Sequence, residues 1–286
     1  LGLLDKLPEQ EREDMANFIK SFQDKNGEIA DSWLRKVAFF REKMSAIRHW
    51  NFNNFFHQQT ARAETRQAIS ALKILGEKPD IYYKKFPQTK KKIEKYLSKL
   101  DWTHPWGAGS HFSHLLFFLA NSNLKDKDSL IDFAINWVNE LQNSKDGAWY
   151  KGDPIISQKI NGAMKVITAL KASDRVKFAY PEKLIDLCLS AQNNRHACEN
   201  FNIIYVLKQT QIISLRSKKD YMKKREFAWH IILFNIKKKI RVNNKDKQTL
   251  IFLSVWIYVI PDNAWLEKVL KTQLRYKIYR LDYVSI

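Results

Sequence analysis

Apolar residues in this chain recur every three to four positions almost wherever they cluster, and that spacing admits α-helices and little else. Ala68, Leu72 and Leu75 share one face, flanked by Ala71 and Ile74. Ile131, Ala134, Ile135, Val138 and Leu141 form a second stripe, and Ile160, Met164, Ile167 and Leu170 a third. No comparable run alternates strictly, so a sheet is not expected. Eight Gly and seven Pro in 286 residues are also too few for the tight turns of a β-sandwich or barrel. The fold class predicted is therefore all-α.

The helices are short and punctuated. Gly76–Glu77–Lys78–Pro79 ends one of them, with Gly at the C-terminal cap and Pro soon after. Pro105 to Ser110 reads as a loop in which Ser110 caps the next helix. Lys145–Asp146–Gly147 and Lys151–Gly152–Asp153–Pro154 bracket an aromatic turn, Ala148–Trp149–Tyr150. Tyr180–Pro181 opens another helix and Pro261–Asp262–Asn263 precedes the last. The pattern predicts helices near 8–23, 31–48, 59–75, 88–99, 110–121, 127–143, 157–172, 181–192, 197–209, 218–239, 245–259 and 262–279. No Ser/Gly/Pro linker divides them. A single domain over 1–286 is expected, with 1–58 as a less regular N-terminal extension.

Three segments repeat one design. Phe18 to Gly27 and Trp137 to Gly147 each run from an apolar helix end through Gln into a polar turn carrying Gly. Leu187 to Asn194 is a third version without the Gly. Gln at a helix end can bond free carbonyls or the next repeat, and Gly supplies the left-handed turn. Small-residue helices, Gln158 to Leu170, Ala197 to Leu207 and Ala61 to Leu75, are expected to pack closely as inner helices. That is the pattern of a helical solenoid or an α/α toroid, a closed or partial ring of about six helical hairpins.

Gln142 to Trp149 and Gln23 to Gly27 resemble the Gln–Gly–Trp repeat of the terpenoid-cyclase and protein-prenyltransferase superfamily. Thr65 to Leu72 and Asn161 to Lys165 resemble its inner helices. The resemblance implies an α/α toroid holding a large isoprenoid or lipid-like ligand in a central aromatic-lined cavity. Departures are plain. Gln142 and Gly147 stand one residue further apart than in the usual motif, and the Gln23 copy lacks the Trp. The acidic motifs of both cyclase classes are absent, and no Asp/Cys/His zinc set assembles. The resemblance therefore carries the fold and not the chemistry.

The formal net charge of +19 would speed association with polyanions or an anionic membrane surface, or simply reflect solvated lysines. The basic runs Lys90–Lys92, Lys218–Arg225 and Lys237–Arg241 read as outer-helix faces. They lack the interleaved aromatics of a nucleic-acid groove, so nucleic acid is not the expected partner. The longest apolar run, Leu250 to Ile260, is too short to span a bilayer. Cys188 and Cys198 show no metal spacing; reduced thiols in a cytoplasmic protein are the expectation. The start at Leu1 rather than Met points to a removed leader or upstream domain.

Chemistry-bearing residues are densest between His104 and Asn161. His111 and His114 lie three apart on one helix and are candidate acid/base groups, with Tyr150 and Asp153 from the nearby loop. A metal reading of the pair needs a third ligand, Asp153 or Glu199, and the spacing calls for neither, so no metal is assigned. Trp106, Asn161, Lys165 and Glu199 are candidate ligand-binding residues, Asn161 and Lys165 being four apart on an inner helix. Structural alternatives are a packing role for Asn161 and a helix-dipole partner for Glu199, and for the neighbouring Trp149 core packing is the better reading. No motif identifies a cofactor. Three functions remain open: a toroid binding a large lipid-like or glycan ligand, an acidic-polysaccharide lyase or hydrolase, and a non-catalytic scaffold for a protein partner or fused domain.

Overall fold

The computed structural model describes residues 8–48, 59–191 and 197–213. All of them belong to one compact unit, Leu3–Leu233. Its elements are α1 (Glu9–Lys20), α2 (Ser32–Arg48), α3 (Gln59–Ile74), α4 (Lys90–Ser98), α5 (Pro105–Ala120), α6 (Lys127–Asn139), α7 (Ile156–Ala172), α8 (Pro181–Ser190) and α9 (Ala197–Ile213). Among the described residues there is no β-strand, and only two isolated bridges join extended backbone, Gln23 to Ile29 and Gln142 to Trp149. The all-α expectation holds for the described residues. The helices expected beyond residue 217 lie outside the described residues.

Local chemistry sets the helix ends. Thr89 accepts a hydrogen bond from the Lys92 N–H at the start of α4. α3 and α7 finish alike. Gly76 and Asp174 take left-handed backbone (φ 83° and 55°), and the next N–H bonds back to Leu72 O or Leu170 O, each at 2.8 Å. One boundary differs from the sequence reading. α5 begins at Pro105, not after Ser110, because Pro is preorganised for the first helical turn and neither Gly107 nor Gly109 interrupts it. Gly109 is there for proximity: a Cβ on it would lie 3.0 Å from Gly162 O and from Lys165 Cβ. A Cβ on Gly162 would sit 2.7 Å from Pro105 Cβ. The N-terminal halves of α5 and α7 thus touch backbone to backbone.

α3, α5, α7 and α9 contact one another in that order. α4 and α6 contact each other, α6 also packs on α5, and α8 packs on α7 and α9. α5 is buried on nearly every side and is accordingly apolar all round. Phe112, Leu116, Leu119, Leu130, Ala134, Trp149, Ile167 and Leu184 belong to the larger of two apolar clusters, and Ile69, Leu72, Tyr83 and Phe118 to the smaller.

The two repeated turns make the same bonds. Gln23 Nε2 donates to Gly27 O and to Ile81 O, while Gln23 Oε1 accepts from Ile81 N. Gln142 Nε2 donates to Gly147 O at 2.9 Å, and Gln142 Oε1 accepts from Ala179 N at 3.0 Å. Each Gln therefore ties its own turn to the loop that follows α3 or α7. Gly27 and Gly147 have φ of 78° and 75°, and a Cβ on either would lie within 2.6 Å of backbone in that loop. The extra residue in the second copy is absorbed inside the turn, closed by Asn143 N to Ala148 O where the first uses Asp24 N to Glu28 O. Gln192, in the third copy, lies outside the described residues.

Candidate functional site

The residues singled out from sequence fall into three places. Tyr150 and Asp153 belong to a surface network around Lys159. The Tyr150 hydroxyl donates to Asp146 Oδ2 at 2.7 Å, and Lys159 Nζ lies 3.3 Å from Asp146 and 3.1 Å from Asp153. The Lys159 ammonium also stands over the Tyr150 ring. Asp153 is almost wholly exposed. These groups satisfy one another and brace the repeat turn. Trp149 is fully buried, with Nε1 donating to Asn139 Oδ1, so its role is core packing. Trp106 is half exposed in the first turn of α5. Glu199 falls in the first turn of α9, and its side chain lies outside the described residues.

Asn161 is buried and spends its carbonyl oxygen on Asn202 Nδ2 at 2.7 Å, a clamp between α7 and α9. His111 is buried too, and its Nδ1 lies 3.1 Å from the Tyr96 hydroxyl. That hydroxyl also accepts from Arg62 Nη1 at 3.1 Å, so one chain of hydrogen bonds links α3, α4 and α5.

His114 and Lys165 belong to the third place, together with residues that the sequence did not advertise. Arg62 and Arg66 are four apart on α3 and share its face toward α5. Arg66 Nη1 donates to Ser113 Oγ at 2.6 Å and its guanidinium lies 5.4 Å from the Phe117 ring centre. The fields of Arg66, Arg62 and Lys165 all reach His114. Tyr205 of α9 interacts with Thr168 of α7 and feels Arg66. Side chains from α3, α5, α7 and α9 therefore meet around Arg66.

The electrostatics are one-sided. His114 is 6% exposed, and its pKa falls to about 3, first through burial and then through Arg66, Arg62 and Lys165. Its Nδ1 is buried without a hydrogen-bond partner among the described residues. Lys165 is held below its ordinary value by burial and by Arg66, and Arg66 is lowered by burial. Burial opposes the charge of Arg62 as well, but Tyr96 and Tyr83 outweigh it. Neither Arg66 nor Lys165 has a carboxylate partner among the described residues. Glu28, a buried acid of the first repeat turn, is paired with Lys85 at 3.3 Å. Uncompensated half-buried cations are costly, and such groups cluster where a ligand completes the charge balance. No group of three His, Cys, Asp or Glu suited to a metal occurs among the described residues.

Comparison of the chain with protein-family models, with curated proteins and with solved structures finds no match. Function must therefore be argued from the Arg66 face alone. Its missed members had one readable signal, two arginines four apart on a helix otherwise marked as inner by its small residues. Tyr205 and Ser113 carried none, because their relevance depends on which helices adjoin.

Proposed function

We propose that the chain is an α/α toroid protein whose inner helices α3, α5, α7 and α9 bind a large acidic ligand, with an acidic glycan as the best fit. The observation that carries this is the pairing of Arg66 and Lys165, both half-buried and without carboxylate partners among the described residues, beside a neutral His114. The cations fit a carboxylate or sulfate, Arg66 in the planar geometry that oxyanions prefer. His114 Nδ1 has no partner among the described residues, and a sugar hydroxyl next to the acid group, able to donate or to accept, would answer it in either tautomer. Phe117 and the stacked pair Phe201 and Tyr205 offer apolar faces alongside. A purely isoprenoid chain would leave the imidazole and both cations unanswered, so a lipid-like ligand fits only through an anionic head group. The toroid itself is supported by the two equivalent Gln turns and by the succession of α3, α5, α7 and α9.

A lyase reading has one observation in its favour. Elimination from a uronate needs cations to neutralise the carboxylate and an unprotonated base nearby, and His114 is unprotonated at neutral pH. A pKa near 3 makes it a feeble base in the free protein, and a bound anion would raise it. Isothermal titration with oligouronates tests the binding reading: micromolar affinity in the wild type, lost in Lys165→Gln and Arg66→Gln. Absence of binding across uronate and sulfated glycans would remove it. New ultraviolet absorbance from unsaturated products, abolished in His114→Ala, would add catalysis.

A further inference from the structure

Helix α2 presents an apolar stripe to the outside. Trp33, Phe40, Met44 and Ile47 are 69%, 66%, 49% and 49% exposed, and Val37 is partly so. Their spacing of four, three, four and three places all five within an arc of about 80° at ~100° per residue. Lys36 and Lys43 border one side of the stripe, and Arg41 and Arg48 the other. The one acid in the helix, Glu42, lies on the opposite side. Its Oε1 accepts from the Thr60 N–H at 2.8 Å and from the Thr60 hydroxyl at 2.5 Å, at the start of α3. That bond turns the Glu42 side toward α3 and the stripe away from it.

The same spacing would serve a coiled-coil seam, but the borders argue against a second copy. In such a pair Lys36, Lys43, Arg41 and Arg48 would face one another across the seam and repel. A nucleic acid would answer the charges and leave the apolar row in water. An anionic lipid surface answers both. We propose that α2 lies in the interface of a negatively charged bilayer, with Trp33, Phe40, Met44 and Ile47 among the acyl chains and the four cations on head groups. Among the described residues no helix is long and apolar enough to cross a membrane, so this contact runs along the surface. The net charge of +19 draws the whole molecule to the same partner.

Vesicle co-sedimentation of the full chain tests it, using phosphatidylcholine alone and phosphatidylcholine with about 30% phosphatidylglycerol. Binding is expected to the mixed vesicles only. Phe40→Ser with Met44→Ser keeps the charge and should weaken that binding at least tenfold, while far-UV circular dichroism and glycan binding stay as in the wild type. Lys36→Gln with Lys43→Gln should weaken it and make it less sensitive to salt. Failure to bind mixed vesicles, or binding unchanged by the serine pair, would overturn the proposal. So would a dimer in the wild type that the serine pair dissolves without any effect on lipid.

Discussion

His114 is kept from taking a proton by its surroundings, and this has a consequence for acid stability. The unfolded imidazole binds a proton as pH falls through about 6.5, whereas the folded one does so only near 3. Stability from this group is therefore complete above about pH 6.5 and is lost as pH falls toward 3. At pH 5 the loss is about 2 kcal/mol, and His114→Gln should flatten that slope in urea titrations run between pH 7 and 5. An unchanged slope would mean that the imidazole is not shielded as described. A bound anion offsets Arg66 and Lys165, so saturating ligand should also reduce the slope. Lys165→Met removes a half-buried cation that Arg66 repels. We expect it to raise the melting temperature by roughly 2–4 °C while abolishing acidic-ligand binding, the trade of stability for function seen at built sites. His114 and Lys165 could be picked out from residue type and spacing. Tyr150 and Asp153 looked equally apt, but Lys159 claims both, and no pattern along the chain reveals such a partner.

At the level of elements, the Gln turns and the α5–α7 crossing hold α3, α5 and α7 in place. Gly147→Ala sets a Cβ 2.5 Å from Tyr180 O at a φ of 75°, so neither the turn nor the following loop can accept it unchanged. The expected cost is about 3 kcal/mol, read as a lower urea midpoint with unchanged slope. Gly27→Ala should behave alike, since its Cβ meets backbone at 2.6 Å. Gly76→Ala, with no neighbouring atom within 4 Å, should cost only the left-handed strain of about 1 kcal/mol. If all three proved equal, the close approach of turn and loop would be wrong. Gln, Gly and the apolar helix end were legible in sequence because the motif is contiguous and each Gln closes its own turn, whereas the bonds to Ile81 and Ala179 were not. The start of α5 was not. Pro, Gly and Ser between residues 105 and 110 read as a loop, yet Gly109 there serves the contact with Gly162 from α7, information carried by a helix about 50 residues away.

For the whole molecule, helical periodicity identified the all-α class because amphipathic spacing is a property of each segment alone. The proposed ligand face was legible only in part, because it arises where α3, α5, α7 and α9 adjoin, and Arg62, Arg66 and Tyr205 gain meaning only there. The net charge of +19 acquires two distinct local expressions in the described residues. One is the Arg66 and Lys165 face, for which we propose a discrete acidic ligand. The other is the basic border of α2, which calls for a surface. Salt should separate them from general attraction, since half-buried cations are screened less than exposed ones. The decisive measurement is calorimetric titration of an oligouronate into the wild-type chain and into Arg66→Gln/Lys165→Gln at two ionic strengths. Saturable binding in the wild type that survives moderate salt, and falls at least tenfold in the double variant, is the predicted result. Equal binding by both proteins, or none by the wild type, would contradict the assignment of the inner face.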